Sequence, residues 1–177
     1  MLVAVVGPSG AGKDTLMGLA RARLAGDARF RFVRRAITRP AEAGGEEHRA
    51  LEVSAFEAER EAGRFALWWG AHGLFYGIPR DIEADLAARR VVVANLSRGV
   101  LAEAAARYRL RVLMVTAPMP VLAARLAARG RESAEDIARR LAREAAAPAG
   151  LDVVTVMNDA TAEEGAAQVE AALRACL

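Results

Sequence analysis

The chain reads as a single α/β domain on a mostly parallel, five-stranded sheet with helices on both faces. Three observations predict this. An apolar run, "LVAVV" at 2–6, leads straight into the glycine-rich stretch "GPSGAGKD" at 7–14 and then into a helical pattern. Apolar runs rich in β-branched residues alternate with alanine-rich segments of helical period, the signature of parallel strands joined by crossover helices. Gly7, Asn95, Thr116 and Asn158 stand just past the ends of four such runs, where open α/β sheets hold their ligands.

The elements follow in order. Leu2–Val6 reads as a buried parallel strand. A helix is expected from about Asp14 to Leu24, and a second strand over Phe30–Ala36. An irregular stretch, "ITRPAEAGGEEHRALEVS", comes next. Ser54 with Glu57 has the spacing of a capping box and opens a short helix to about Ala62. "RFALWWGAHGLFYGIP" reads as two short strands around a turn that contains His72, and Pro79 starts a helix to about Arg89. Then come a strand at Val91–Asn95, a helix at Val100–Tyr108, and a strand at Leu110–Val115. Pro118 and Pro120 start a helix to about Ala128, and Ser133 with Asp136 caps another through about Ala147. Leu151–Met157 is the last strand, and Thr161 with Glu164 caps a final helix to about Ala175.

At 177 residues and 54% hydrophobic composition, one packed domain is expected and disorder is not. One cysteine, Cys176, excludes a disulfide framework within the chain. "MLVAVV" is too short for a signal segment or a membrane span, so a cytoplasmic protein is expected. The net charge of +3 suits phosphate-rich small molecules. The basic residues are scattered among acids and not striped, which argues against nucleic acid as a partner. No feature of the sequence sets the oligomeric state.

One count points to a site. Of 25 basic residues only Lys13 is lysine; the rest are arginine. It falls in the pattern G-x-x-x-x-G-K, where a compact ammonium on a flexible stem reaches nucleotide phosphates. Backbone N–H groups of Gly10, Gly12 and Lys13 would face an anion at the helix N-terminus. The pattern normally ends in Ser or Thr. Here it ends in Asp14, followed by Thr15. A carboxylate at this position either ligates Mg²⁺, which takes hard oxygen ligands, or simply favours a helix start.

Six stretches, "GPSGAGKD", "ITRP", "LWWGAHGLFYG", "RLAARGRES", "IARRL" and "VMND", taken together and in order from residue 3 to about 159, resemble the guanylate kinase-like P-loop kinases. The resemblance implies one kinase domain over 1–177, with an acceptor-binding lobe at about 37–80 and a lid at about 129–135. It implies that Gly7, Pro8, Ser9, Gly10, Ala11, Gly12, Lys13 and Asp14, with Thr15 beside them, hold ATP and Mg²⁺. Arg39 and Tyr76 match positions that grip the acceptor phosphate. Arg129 and Arg140 match arginines on the moving phosphoryl group, with Arg125 and Arg131 as further candidates, and Asn158 matches an adenine-contacting position. For each of these arginines the alternative is a solvated helix face.

The departures fall on the acceptor side. Leu67 stands where the resemblance expects a base-reading glutamate, and Ile78 where it expects a hydroxyl. A second phosphate-gripping arginine is replaced by Glu42 and a tyrosine by His48, and an acidic D-x-x-G reads Asn95-Leu96-Ser97-Arg98. Within the kinases this set is similar to the ribose 1,5-bisphosphate phosphokinases of phosphonate breakdown. That implies a small-molecule substrate and the reaction of ATP with ribose 1,5-bisphosphate to ADP and 5-phosphoribosyl 1-diphosphate. His48 is then expected at the sugar or its phosphate, or else exposed in a loop. Asn95, Ser97 and Arg98 are expected on the acceptor side, with Arg98 replacing the lost arginine. One of Trp68 and Trp69 should pack in the lobe core and the other wall the sugar pocket. A nucleoside monophosphate kinase is the alternative, which an acidic residue at position 67 would have supported. A non-catalytic interaction module of the same fold would not need to keep Lys13.

Overall fold

The computed structural model describes residues 1–43, 46–128 and 150–177. The expected lid at about 129–135, the helix from Ser133, and Arg129, Arg131 and Arg140 lie outside the described residues. The strands are β1 (Leu2–Val6), β2 (Phe30–Phe32), β3 (Ala36–Ile37), β4 (Arg49–Ala50), β5 (Phe65–Ala71), β6 (Leu74–Pro79), β7 (Val91–Asn95), β8 (Leu110–Thr116) and β9 (Val153–Met157). The helices are α1 (Lys13–Arg23), α2 (Val53–Glu61), α3 (Ile82–Ala87), α4 (Leu101–Arg107), α5 (Met119–Ala127) and α6 (Ala162–Arg174). Among the described residues no helix is long and apolar enough to cross a membrane.

One sheet has five strands in the order β2-β7-β1-β8-β9, with β2–β7 and β8–β9 parallel. Every residue of β1 and of β7 is buried, as strands apolar on both faces must be. A second sheet has the order β4-β3-β6-β5, antiparallel except for β3–β4.

The chain forms two compact units. One comprises Val5–Ala25 and Arg111–Cys176. In it α1 packs on α6, where Ala166, Val169 and Leu173 are fully buried. The capping box at Thr161 and Glu164 forms as the spacing predicts. Thr161 Oγ1 accepts from Glu164 N at 3.2 Å, and Glu164 Oε2 accepts from Thr161 N at 3.0 Å. The Thr161 hydroxyl, donating to Glu164 Oε2 at 2.7 Å, and then the Thr161 backbone N–H hold the Glu164 carboxyl below its ordinary range.

The other unit comprises Met1–Ala4, Gly26–Leu110 and Leu177. Its second sheet packs on α2 through Phe56, which stacks on Phe65 at 4.6 Å and on Phe75 at 5.5 Å, with Ala36 and Leu51 around them. The β5–β6 hairpin closes through His72 and Gly73, both with φ > 0, which is the two-residue turn matched to strand twist.

Three expectations fail here. The strand over Phe30–Ala36 is two strands, β2 and β3, in different sheets. The expected box at Ser54 does not form. Phe56 N bonds Glu52 O at 2.9 Å, the helix begins at Val53, and Ser54 lies inside the first turn. Pro79 ends β6 and does not start α3. One tryptophan packs inside as expected: Trp69 is 8% exposed and stacks on Tyr76, while Trp68 is 42% exposed beneath Arg60.

Candidate active site

In the unit that carries α1, the loop 7–12 has a backbone only glycine tolerates. A Cβ on Gly7 (φ +151°) would stand 1.9 Å from Val115 O, and one on Gly12 (φ +85°) 2.5 Å from Asn158 Nδ2. Gly12 is the left-handed residue before α1, so the free N–H groups of an eleven-residue helix open onto the loop. Lys13 Nζ folds back onto the loop, donating to Gly7 O at 2.8 Å and Pro8 O at 3.1 Å. Asp14 and Thr15 are exposed in the first helical turn.

These features fit a nucleotide phosphate: a cradle that a Cβ would fill, a dipole end and a positioned ammonium. For Mg²⁺, no group of three or more His, Cys, Asp or Glu among the described residues forms a metal cage. A single carboxylate, Asp14, beside a phosphate site suits an ion that keeps water and phosphate oxygens as ligands. Asn158 is 6% exposed, and its Nδ2 donates to Ala11 O at 2.7 Å while its backbone N bonds Thr116 O. Its amide therefore braces the loop.

In the other unit, Arg39, His48, Tyr76 and Asn95 come together around β3, β6 and the end of β7. His48 is only 3% exposed, against the expectation of an exposed loop histidine. Its Nδ1 lies 3.0 Å from Glu46 O and its Nε2 3.0 Å from Arg39 O, so the ring sits between the two carbonyls and donates to the one that faces its protonated nitrogen. Arg39 Nη2 approaches the same Nδ1 at 3.3 Å, and Arg39 Nε is buried with no hydrogen-bond partner among the described residues. Tyr76 stacks on Trp69 at 5.4 Å and 6°. Asn95 Nδ2 donates to Glu46 Oε2 at 3.1 Å. Ser97 is a cap: its hydroxyl accepts from Gly99 N at 3.3 Å and starts a 3₁₀ turn at Arg98. Leu67 and Ile78 are cross-strand partners and fully buried, so neither offers a hydrogen bond to a ligand.

Sequence reading missed Arg35 and Glu46. Arg35 Nε donates to Glu46 Oε1 at 2.6 Å, and its guanidinium lies over Tyr76 (5.1 Å) and Trp69 (5.6 Å). Nothing in the sequence separates Arg35 from Arg34. Their side chains are 11% and 58% exposed, and both residues lie in the link between β2 and β3, where no strand periodicity tells them apart.

A glycine cradle between a buried strand and a helix, in a parallel sheet with a second small sheet, defines a P-loop kinase of the guanylate kinase-like fold. A solved guanylate kinase from Anaplasma phagocytophilum shares that fold, with a TM-score of 0.70 at 19% identity over 99% of this chain and 84% of that one. No family model matches the chain. Ribose 1,5-bisphosphate phosphokinase PhnN of Brucella melitensis is 53% identical over 158 residues, 88% of this chain and 82% of that protein. The protein of that name from Methylobacterium radiotolerans is 50% identical over 99% of this chain and 98% of its own. The chain also matches, at 50% identity, 28% of a bifunctional ribose 1,5-bisphosphokinase-thymidine phosphorylase of Cupriavidus necator. The chain belongs to the ribose 1,5-bisphosphate phosphokinase family.

Proposed function

We propose that this protein transfers the γ-phosphoryl group of ATP to ribose 1,5-bisphosphate. An oxygen of the 1-phosphate attacks the γ-phosphorus, the bond to the β–γ bridging oxygen breaks, and ADP and 5-phosphoribosyl 1-diphosphate leave. The observation that carries this reading is the likeness, at about half identity over nearly the whole chain, to phosphokinases named for that sugar. Leu67 and Ile78 support it: a guanine edge set against them would lose its water and gain no hydrogen bond.

Such a transfer needs positioning and cations more than covalent help. On the donor side, the N–H groups of the loop and the first helical turn, Pro8 excepted, hold the nucleotide phosphates and Lys13 places its ammonium against them. Asn158 fixes the loop, and Asp14 is the residue that would hold Mg²⁺, which neutralises phosphate charge when bound. On the acceptor side, Arg39 and Tyr76 hold the reacting phosphate. Asn95, Ser97 and Arg98 add donors and charge, and His48 sets the segment between them. Arg129, in a lid at about 129–135, and Arg140 beyond it complete the cation set, within one kinase domain over 1–177 that works in the cytoplasm.

The test is ³¹P NMR of products formed from ATP with ribose 1,5-bisphosphate and, separately, with GMP. A doublet pair for a sugar diphosphate is expected with the first and no GDP with the second. A higher kcat/KM for GMP overturns the reading. In the same assay Asp14→Asn should raise the Mg²⁺ concentration needed for half-maximal rate, with partial rescue at high Mg²⁺. An unchanged requirement returns Asp14 to a helix-start role.

A further inference from the structure

We infer that Arg35 is the second anionic anchor of the acceptor site, gripping the phosphate of the sugar bisphosphate that does not react. The inference rests on the acceptor reading above, and it assigns to Arg35 a part that the sequence reading assigns to Arg98.

A structural ion pair is the competing account, and the geometry disfavours it. A guanidinium carries five N–H donors, and one buried for structure alone normally has them satisfied. Arg35 gives only its Nε to the protein, at 2.6 Å from Glu46 Oε1; Nη1 and Nη2 have no hydrogen-bond partner among the described residues. Yet the side chain is only 11% exposed. It is held as a platform is held: its flat face lies over the stacked Trp69 and Tyr76 rings, and one edge is fixed by a carboxylate. Glu46 is fixed in turn, since its other oxygen accepts from Asn95 Nδ2 at 3.1 Å. That leaves the Nη edge, the planar fork that matches two phosphate oxygens, oriented and without its own anion.

The surroundings indicate which phosphate. Tyr76, matched to the reacting phosphate along with Arg39, lies under the Arg35 guanidinium. Arg39 reaches the 46–48 segment through His48, and Arg35 reaches it through Glu46. Two arginines thus flank one short segment. A sugar carrying a phosphate at each end presents two dianions separated by a ring and asks for two separate cations. Leu67 and Ile78 are sealed in the hairpin, so selection among acceptors falls to these charges.

The experiment measures acceptor and ATP kinetics for wild type, Arg35→Ala and Arg35→Lys. It also measures calorimetric binding of ribose 1,5-bisphosphate, ribose 5-phosphate and ribose 1-phosphate. Loss of charge-assisted hydrogen bonds should raise the acceptor KM of Arg35→Ala by about 10- to 150-fold, with the ATP KM within about twofold. Arg35→Lys, the variant to rely on should the alanine protein not fold, keeps the charge without the fork and should recover only part of the affinity. Binding of ribose 5-phosphate should weaken as much as that of the bisphosphate, and binding of ribose 1-phosphate hardly at all. Turnover by wild type with an unchanged acceptor KM in both variants, or a lowered melting temperature as their sole effect, overturns the role of Arg35 and leaves the reaction standing. Weakened ribose 1-phosphate binding with ribose 5-phosphate spared overturns the assignment to the distal phosphate. A wild type that does not convert the bisphosphate overturns both.

Discussion

On the function proposed above, the donor loop and the acceptor lobe of this kinase would solve the same problem, holding phosphate, in opposite ways. The loop binds with backbone. A six-residue loop that ends in a left-handed glycine, with the helix start behind it, presents N–H groups from every residue but Pro8 in a fixed cup, and one lysine adds the charge. The lobe binds with side chains. Arg35, Arg39, Glu46, His48, Trp69, Tyr76 and Asn95 come from strands and turns up to 60 positions apart in the chain. They meet because β3 pairs with β6 and β5 with β6. A backbone cup fits any nucleotide triphosphate, whereas a side-chain cluster is free to change acceptor. In this chain Leu67 and Ile78 stand apolar where the resemblance expects base readers, and Glu42 stands where it expects a second arginine beside Arg39.

The largest effect that would break this contrast is at the loop. If the cup alone sufficed, Lys13 would be dispensable. Lys13→Ala should instead lower kcat on the order of 10²–10³, the usual cost of removing one preorganised charge from a transferring group. Circular dichroism should show an intact fold, because the Nζ bonds at 2.8 and 3.1 Å go to carbonyls of the loop itself. Turnover within about threefold of wild type in a folded variant would mean that the backbone does all the binding.

The same contrast explains what was legible. The loop is local, so its residue types, order and spacing state its geometry, and the parallel sheet follows from the runs around it. Even there Asn158 misleads: its place after β9 suggests a ligand contact, while its amide is fixed on Ala11 O. The acceptor site is non-local, and its parts are individually ordinary. Arg35 is one of 24 arginines, and only its burial in the folded chain sets it apart from Arg34. Caps show the same limit. Thr161–Glu164 and Ser54–Glu57 have the same spacing, but Phe56 must face Phe65 and Phe75, and that packing starts α2 early enough to bypass Ser54.

A smaller effect sharpens the comparison at His48. If the lobe depends on ordered side chains, the residue that orders the segment should act on acceptor binding without touching substrate. His48→Asn keeps one hydrogen-bonding amide and cannot span both Arg39 O and Glu46 O, which now lie 3.0 Å from opposite ring nitrogens. Releasing one end should raise the acceptor KM by about tenfold and leave the ATP KM unchanged, consistent with the loss of one buried hydrogen bond. Steady-state kinetics in both substrates check this; a matching rise in the ATP KM would mean that His48 acts on the whole fold.

The smallest effect on catalysis is expected at the other charged cluster of the same unit. Asp85 is buried and accepts from Arg31 and from Arg90, the latter at 2.8 Å, while Arg31 also bonds Asp81 at 2.7 Å. Here the charges answer one another, which is what distinguishes this cluster from Arg35. Burial alone would push the Asp85 carboxyl up, but the two arginine hydrogen bonds outweigh it and hold the group below its ordinary range. A carboxyl depressed in the folded state contributes stability above its unfolded value of about 3.9, and that contribution is lost as pH falls through the folded value. Asp85→Asn should therefore destabilise the protein by about 1–3 kcal/mol near neutral pH, the cost of leaving partly buried partners unsatisfied. The gap from wild type should close as pH drops below about 4. Denaturant unfolding at several pH values measures the gap, and kinetics at neutral pH should show both KM values unchanged. A change in acceptor KM would place this cluster in the acceptor site after all, and would erase the distinction between charges that hold the fold and charges left open for a ligand.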